Sequence, residues 1–297
     1  MDFLSHRPGE AHCRDMSWRG HWQTIVPRIL QRTPRDLPVR RLWETSLVDE
    51  RVGRVAVRGR YSEGSGGPGP CILLHGLGGS PDSPYVLDTQ AALHAAGRSV
   101  LALALRGTLG PPDDFYHAGL TADLERAIEA LAAETGRKVD VIGFSLGGHV
   151  ALRLALDPPE ALGRVVTVCA PLDLRACCQT LDRRRSWIYR RHVLSGLKAH
   201  YRALAERGPV PTPWERIRRV RRIVEWDQLS VVPRFGFRDT DDYYRQCSVG
   251  PELERLKPPV WMVIGAVDPM VPLETLRSFL GRLPRNAEVL LDPGGGH

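Results

Sequence analysis

The chain has 297 residues, of which 42% are hydrophobic and 25% are charged, and its formal net charge is +7. That balance excludes an intrinsically disordered chain and provides enough apolar residues for a sizeable core. No run approaches the roughly 20 apolar residues of a membrane-spanning helix, and no nucleic-acid-binding motif accompanies the positive charge, so we expect no nucleic-acid partner.

Residues 1–38 are rich in Pro, Arg and Trp without clear periodicity, and they are typical of an arm that packs on another part of the protein. Residues 39–61 alternate in polarity, which predicts a pair of strands. From residue 71 onward the pattern alternates between apolar strands and amphipathic helices. Strands are predicted over 71–76, 99–107, 138–144 and 164–171, with helices over 83–97, 121–136 and 146–156.

This alternation stops near residue 171 and resumes near residue 259, where a strand over 259–269, a helix over 273–283 and a strand over 287–293 follow. Strict strand–helix alternation predicts a mostly parallel, doubly wound sheet in an α/β fold. The Arg- and Trp-rich, mostly helical segment 172–257 is predicted to be a cap over the carboxyl ends of the strands. The chain is then a single domain whose core comprises 39–171 and 258–297.

The stretch Gly143-Phe144-Ser145-Leu146-Gly147 carries the strongest chemical signal, because it joins a predicted strand to a predicted helix. In the G-x-S-x-G motif the serine lies on a turn so tight that only small residues fit two positions to either side. The following helix directs its first N–H groups toward that turn, where they favour developing negative charge. We therefore predict that Ser145 is a nucleophile.

A serine nucleophile needs a base, and the base needs an orienting acid, in the chain order serine, acid, histidine. Asp268 ends a buried strand after the predicted cap, and His297 follows the last strand. We predict that these two residues complete a triad with Ser145. Asp173 is the rival acid, and Asp292 is disfavoured because it lies only five positions before His297.

Three other histidines compete for the role of base. His149 lies one helical turn beyond the serine and is expected to point away from it or to be buried. His117 follows a strand end and is expected to hold a loop, with substrate binding as the alternative. His75 is expected to bond the backbone of its own loop.

The segment His75-Gly-Leu-Gly-Gly79 follows the first buried strand, and its glycines let the amide of Leu77 turn toward the nucleophile. The amide of Leu146, which follows the serine, would be the second donor. We predict that Leu77 and Leu146 form an oxyanion hole.

Six cysteines form neither a CxxC pair nor a zinc-type cluster with histidine, and the first residues lack the apolar region of a signal peptide. We therefore expect reduced thiols, no metal or cofactor and a cytoplasmic location. Two basic segments, 183–191 and 216–229, have helical spacing of apolar residues. The expectation is that they pack on the core as cap helices, and the alternative is peripheral contact with an anionic membrane.

These residues resemble the α/β-hydrolase superfamily, and seven stretches resemble, in order, its YheT-like branch of bacterial hydrolases and eukaryotic lipid esterases, phospholipases and acyltransferases. They are GHWQTIVPRI (20–29), LLHGLGGSPDSPYV (73–86), YHAGLTADL (116–124), GFSLGGHVAL (143–152), APLDLRAC (170–177), FGFRDTDDYYRQCS (235–248) and DPMVP (268–272). The resemblance implies an α/β-hydrolase fold, and it places the triad on Ser145, Asp268 and His297. It also implies esterase-type chemistry on small-molecule ester or lipid substrates.

The resemblance also bears on the last residue, because in this branch a final helix follows the triad histidine. We expect the sequence to be a fragment whose native chain continues by roughly 20–30 residues, the length of one more loop and helix. The leading hypothesis is a hydrolase of carboxylic esters that forms an acyl-enzyme on Ser145. An acyltransferase using the same triad and a non-catalytic binding protein remain as alternatives, and the oligomeric state is left open.

Overall fold

The computed structural model describes Gly20, Thr24 and residues 36–297, so the predicted arm over 1–38 lies almost wholly outside the described residues. Its centre is an eight-stranded sheet in the order β1-β2-β4-β3-β5-β6-β7-β8. The strands are β1 Arg41–Asp49, β2 Gly53–Ser62, β3 Cys71–Leu74, β4 Val100–Leu103, β5 Val139–Phe144, β6 Leu162–Val168, β7 Val260–Gly265 and β8 Ala287–Asp292. β2 pairs antiparallel with both β1 and β4. The six strands from β3 to β8 are parallel to one another.

Three helices cover the two faces of this sheet: α1 Pro84–Ala95, α2 Ala122–Thr135 and α3 Leu146–Leu156. Successive side chains of β3 and β4 point to opposite faces of the sheet, as the two-residue period of a strand requires. Leu73 and Ala102 join the small cluster beneath α1, whereas Ile72 and Leu101 join the main core that contains α2 and α3. The predicted fold class, a doubly wound α/β sheet, is therefore confirmed.

A helical insertion lies between β6 and β7, as the sequence predicts. Its helices are α4 Leu174–Asp182, α5 Trp187–Ala205, α6 Trp214–Ile217, α7 Ile223–Leu229, α8 Val231–Phe235 and α9 Thr240–Cys247. We call this insertion the cap. Within the part of the chain described, no helix is long and apolar enough to cross a bilayer.

Three predicted elements are wrong in extent. The strand predicted over 99–107 ends at Leu103, and the helix predicted over 273–283 is reduced to a 3₁₀ turn and the short helix α10 Arg277–Leu280. The helical pattern over 216–229 is broken between α6 and α7. There the Lys198 ammonium donates to the carbonyl oxygens of Arg218 and Val220, at 3.0 and 2.6 Å, so these carbonyls have partners outside a helix.

A buried ion-pair cluster holds the loop that follows β4. The guanidinium of Arg106 donates to Asp49 at 2.6 Å and to Asp123 at 2.5 and 3.0 Å. Burial alone would lower the pKa of Arg106, but the two carboxylates raise it, so the side chain stays charged. The cluster joins the end of β1, this loop and the first turn of α2, and thereby fixes the loop at the carboxyl end of β4.

Candidate active site

Ser145 lies on a strained turn between β5 and α3, with φ of 50° and ψ of −118°. Its N–H donates to the carbonyl of Val168 at 2.8 Å, and its carbonyl accepts from His149 N–H at 3.1 Å. The glycines explain how the turn fits. A Cβ on Gly147 would lie 2.6 Å from the carbonyl oxygens of Leu74 and His75, so a larger residue would collide with the backbone after β3.

Asp268 and His297 form a direct pair at the carboxyl ends of β7 and β8. His297 Nδ1 lies 2.7 Å from Asp268 Oδ2. Asp268 Oδ1 accepts from the N–H groups of Met270 and Val271, at 2.7 and 2.9 Å, which leaves Oδ2 for the imidazole. Because a carboxylate only accepts, Nδ1 carries the proton and Nε2 is left as the acceptor.

The glycine run before His297 lets the end of the chain lie directly on the backbone after β7. Val267 N–H donates to the Gly295 carbonyl at 3.1 Å, and a Cβ on Gly265 would meet the carbonyls of Gly295 and Gly296. The backbone N–H of His297 donates to Thr24 Oγ1 at 2.9 Å. These contacts fix the imidazole beside Asp268.

The pair is largely buried, since Asp268 is 5% exposed and the His297 side chain is 15% exposed. Burial alone would lower the pKa of His297. The negative charge of Asp268 and the hydrogen bond to it outweigh burial, so the pKa of His297 is raised above its ordinary value of 6.5. The pair therefore makes the imidazole a stronger base.

The amides of Leu77 and Leu146 are unpaired, since neither N–H has an acceptor within the region the structure describes. Two tyrosines hold the neighbours of Leu77 in place. Gly76 N–H donates to the Tyr85 hydroxyl at 2.9 Å, and Gly78 N–H donates to the Tyr116 hydroxyl at 2.8 Å. The amides on either side of Leu77 therefore have partners, and the Leu77 N–H remains available as the predicted donor to an oxyanion.

The same turn packs on cap helix α5 without intervening side chains. A Cβ on Gly78 would lie 2.8 Å from the Val193 carbonyl oxygen, and Gly78 has a φ of 73°, which favours glycine. On the other side, a Cβ on Gly196 would collide with the Gly78 carbonyl. Backbone therefore meets backbone at this contact.

The competing histidines occupy separate places. The ring nitrogens of buried His149 face the carbonyls of Pro171 and Cys247, each at 2.8 Å, so this side chain is held away from the serine as expected. The His117 ring packs against Phe235 and lines the cavity described below, and burial lowers its pKa to about 3.

The remaining candidates also have partners of their own. His75 Nε2 accepts from Leu105 N–H at 3.2 Å, and its Nδ1 lies 2.8 Å from the Gly76 carbonyl, in agreement with the predicted loop-holding role. The rival acid Asp173 caps α4 by accepting from Ala176 N–H at 2.9 Å.

Cys169 lies next to the pair, at the end of β6, with a φ of 51°. Its Sγ and one donor atom each of Asp268 and His297 lie within 4.8 Å of one another. A thiolate, a carboxylate and an imidazole are together suitable ligands for an ion such as Zn²⁺. Here, however, burial raises the pKa of the Cys169 thiol to about 12, and the other two groups are already bonded to each other.

A cavity of about 1070 Å³ lies between the sheet and the cap, and Ser145, His297, Leu77 and Leu146 all line it. Its wall is mainly apolar and comes from both the core and the cap. The structure thus brings the predicted site residues to one cavity, with Asp268 behind His297. Sequence reasoning assigned no role to Tyr85 and Tyr116, because an isolated tyrosine gives no signal of the amide it will accept from.

Comparisons with known proteins agree with this architecture. The sequence model of the Alpha/beta hydrolase family matches residues 71–297. The chain therefore belongs to the α/β hydrolase family.

Among its relatives is the putative esterase YheT of Escherichia coli, which is 31% identical over 93% of this chain and 83% of its own length, and the predicted resemblance to that branch is confirmed. The phospholipase ABHD3 of Mus musculus is 23% identical over 76% of this chain and 57% of its own length.

The fold is also similar to that of the Pyrococcus furiosus esterase Pf2001, with a TM-score of 0.58 at 19% identity, covering 90% of this chain and 87% of the other. Together the two sequence relatives support a hydrolase activity for this chain.

The packing of Gly147 predicts that Gly147→Ala lowers the free energy of unfolding by about 1–3 kcal/mol, because the added methyl group meets two backbone carbonyls. Urea unfolding followed by circular dichroism measures this. Gly208→Ala is the matched control, since a Cβ there meets nothing within 4 Å, and its effect should stay within about 0.5 kcal/mol. Equal stability of the two variants would contradict the close packing.

Proposed function

We propose that the protein is a serine hydrolase that cleaves carboxylic esters with apolar, lipid-type acyl groups through an acyl-enzyme on Ser145. The observation that carries this proposal is the Asp268–His297 pair at 2.7 Å. Its His297 lines the same cavity as Ser145, which lies on a strained turn. The mainly apolar wall of the cavity favours substrates with apolar chains.

In the first half-reaction, the Ser145 hydroxyl oxygen bonds to the ester carbonyl carbon while its proton passes to Nε2 of His297. The carbonyl oxygen becomes an oxyanion, and the amides of Leu77 and Leu146 donate to it. The tetrahedral intermediate then expels the alkoxide, which takes the proton from His297. Asp268 holds the imidazole in the tautomer that accepts at Nε2.

In the second half-reaction, water gives a proton to His297 and attacks the acyl carbon, and Ser145 leaves with that proton. No hydrogen bond joins the Ser145 hydroxyl to His297 among the described residues, and such bonds often tighten only when substrate is bound. An acyltransferase would follow the same path with an alcohol in place of water. A reducing compartment such as the cytoplasm suits the five described cysteines, which are all buried and unpaired.

A fluorophosphonate probe tests the nucleophile, because it forms a covalent adduct only with an activated serine. We expect labelling of the wild-type chain and none of Ser145→Ala. Asp173→Asn is the control, since Asp173 only caps α4, and it should be labelled like the wild type. Absence of labelling in the folded wild-type chain would favour the non-catalytic binding alternative.

The raised pKa of His297 predicts the pH dependence of ester hydrolysis. The imidazole must be neutral to accept the serine proton, so kcat/KM should fall as the pH is lowered through a value above 6.5. Asp268→Asn removes the charge that raises this pKa, so the acidic limb of its profile should move to lower pH. The same change no longer holds the imidazole in the tautomer that accepts at Nε2, so the residual activity should be up to ~10⁴-fold lower. A wild-type limb at or below pH 6.5 would count against the pair as the base.

We further propose that the cap docks on anionic lipid through a surface patch formed by Arg184, Arg185, Trp187, Ile188 and Arg191. Trp187 and Ile188 are 53% and 46% exposed, and none of the three arginines has an ion-pair partner in the described part of the chain. Ile188 also lines the cavity, so docking would bring the mouth of the cavity to the bilayer. By contrast, the described second basic segment has no exposed large apolar side chain, and its Arg218 is paired with Glu215.

Vesicle co-sedimentation tests this docking. Changing Arg184, Arg185 and Arg191 together to Gln should weaken binding to phosphatidylserine-containing vesicles at low salt, by about 1 kcal/mol for each arginine that faces the membrane. Changing Arg218, Arg219 and Arg221 to Gln is the charge-matched control and should have a smaller effect. Equal effects of the two triple changes would contradict a specific patch.

A further inference from the structure

The cap side of the cavity contains a buried carboxyl group that the proposed reaction does not use. Asp227, on α7, is 8% exposed and lines the cavity. The neighbouring wall is apolar or aromatic, with Leu181 and Trp226 as examples. None of the described residues that line the cavity is Lys or Arg, so no cation in the wall balances this acid.

Only one oxygen of this carboxyl group is occupied. The hydroxyl of Tyr244 donates to Asp227 Oδ2 at 2.6 Å. Asp227 Oδ1 has no hydrogen-bond partner in the region described, yet it is not among the fully buried atoms that lack one, so part of its surface is open. The free oxygen is therefore available to whatever enters the cavity.

An apolar ligand that filled the cavity would cover Asp227 Oδ1 without giving it a partner. A polar group buried in that way is unfavourable, and buried polar groups in native proteins are nearly always hydrogen-bonded. Burial, together with the nearby charge of Asp182, raises the pKa of Asp227 to about 7 despite the bond from Tyr244. A bound hydrogen-bond donor would complete the set of partners and favour the carboxylate form.

We propose that Asp227 is a substrate-recognition residue whose Oδ1 accepts a hydrogen bond from a hydroxyl or ammonium group carried on the apolar chain of the substrate. The inference rests on the ester-hydrolase function proposed above and specifies its substrate class. An apolar chain would fill the hydrophobic wall, while its polar substituent would reach Asp227. A plain alkyl chain would leave the carboxyl group unpaired, which makes the site selective rather than merely apolar.

Matched esters test this selectivity. p-Nitrophenyl esters of ω-hydroxy, ω-amino and ω-methoxy fatty acids, in a series of graded chain lengths, are compared by kcat/KM with the wild type, Asp227→Leu, Asp227→Asn and the control Asp173→Asn. We expect the wild type and the control to prefer a hydroxy or amino ester over the methoxy ester of the same length by ~10-fold, as for a hydrogen bond to a charged group. In Asp227→Leu the ratio should fall to about one.

The Asn variant separates the two donor groups, because it keeps an acceptor oxygen but has no charge. A preference for hydroxy esters should largely survive in Asp227→Asn, whereas a preference for amino esters should be lost. An ammonium preference should also increase in the wild type as the pH rises through about 7, where Asp227 ionises. Equal rates for methoxy and donor-bearing esters at every length in the wild type would overturn the proposal.

Calorimetry separates failure of this inference from failure of the proposed function. Binding of α,ω-alkanediols and of 1-alkanols of equal length is measured with wild type and Asp227→Leu, and no hydrolysis is required. Tighter binding of diols that is lost in Asp227→Leu supports the subsite even if no ester is cleaved. Equal affinities in the wild type would overturn it even if plain esters are cleaved rapidly.

Discussion

The close packing of the Ser145 turn is the constraint on which the rest of the site depends. An L-residue with a φ of 50° is strained, and such strain persists only where the surroundings fix it. Here Gly143 lets the first turn of α3 lie directly on β5, and Gly147 lets that turn lie directly on the backbone of Leu74 and His75. The serine is thereby lifted to the carboxyl edge of the sheet, where the first amides of α3 also point.

Parallel strands explain how distant residues meet at that edge. β5 delivers the serine, while β7 and β8 deliver Asp268 and His297, and the parallel pairing from β3 to β8 sends all of these strand ends in the same direction. Local contacts then set the fine geometry. Two backbone amides turn Asp268 so that one oxygen faces the imidazole, and a glycine run lets the last residue approach without obstruction.

Sequence patterns were sufficient to predict those elements of the fold that show a hydrophobic periodicity or a recognisable motif. Buried strands appear as apolar runs, and α3 begins and ends at the predicted residues because the serine turn and the DPPE segment bound it. The break between α6 and α7 was missed because Lys198 and Asp182, far away in sequence, supply the bonds that end one helix and start the next. Asp227 was missed for a similar reason: its burial depends on the packing of other cap helices against α7, which no local pattern encodes.

The contact between Gly78 and Gly196 links two parts of the molecule that are far apart in sequence. Because no side chain cushions this contact, a displacement of α5 moves the backbone beside Leu77 with it. The position of cap helix α5 and the orientation of the Leu77 amide near the nucleophile are thus coupled. This contact accordingly restricts the side chain that α5 can carry at Gly196, at a point defined by backbone packing rather than by substrate.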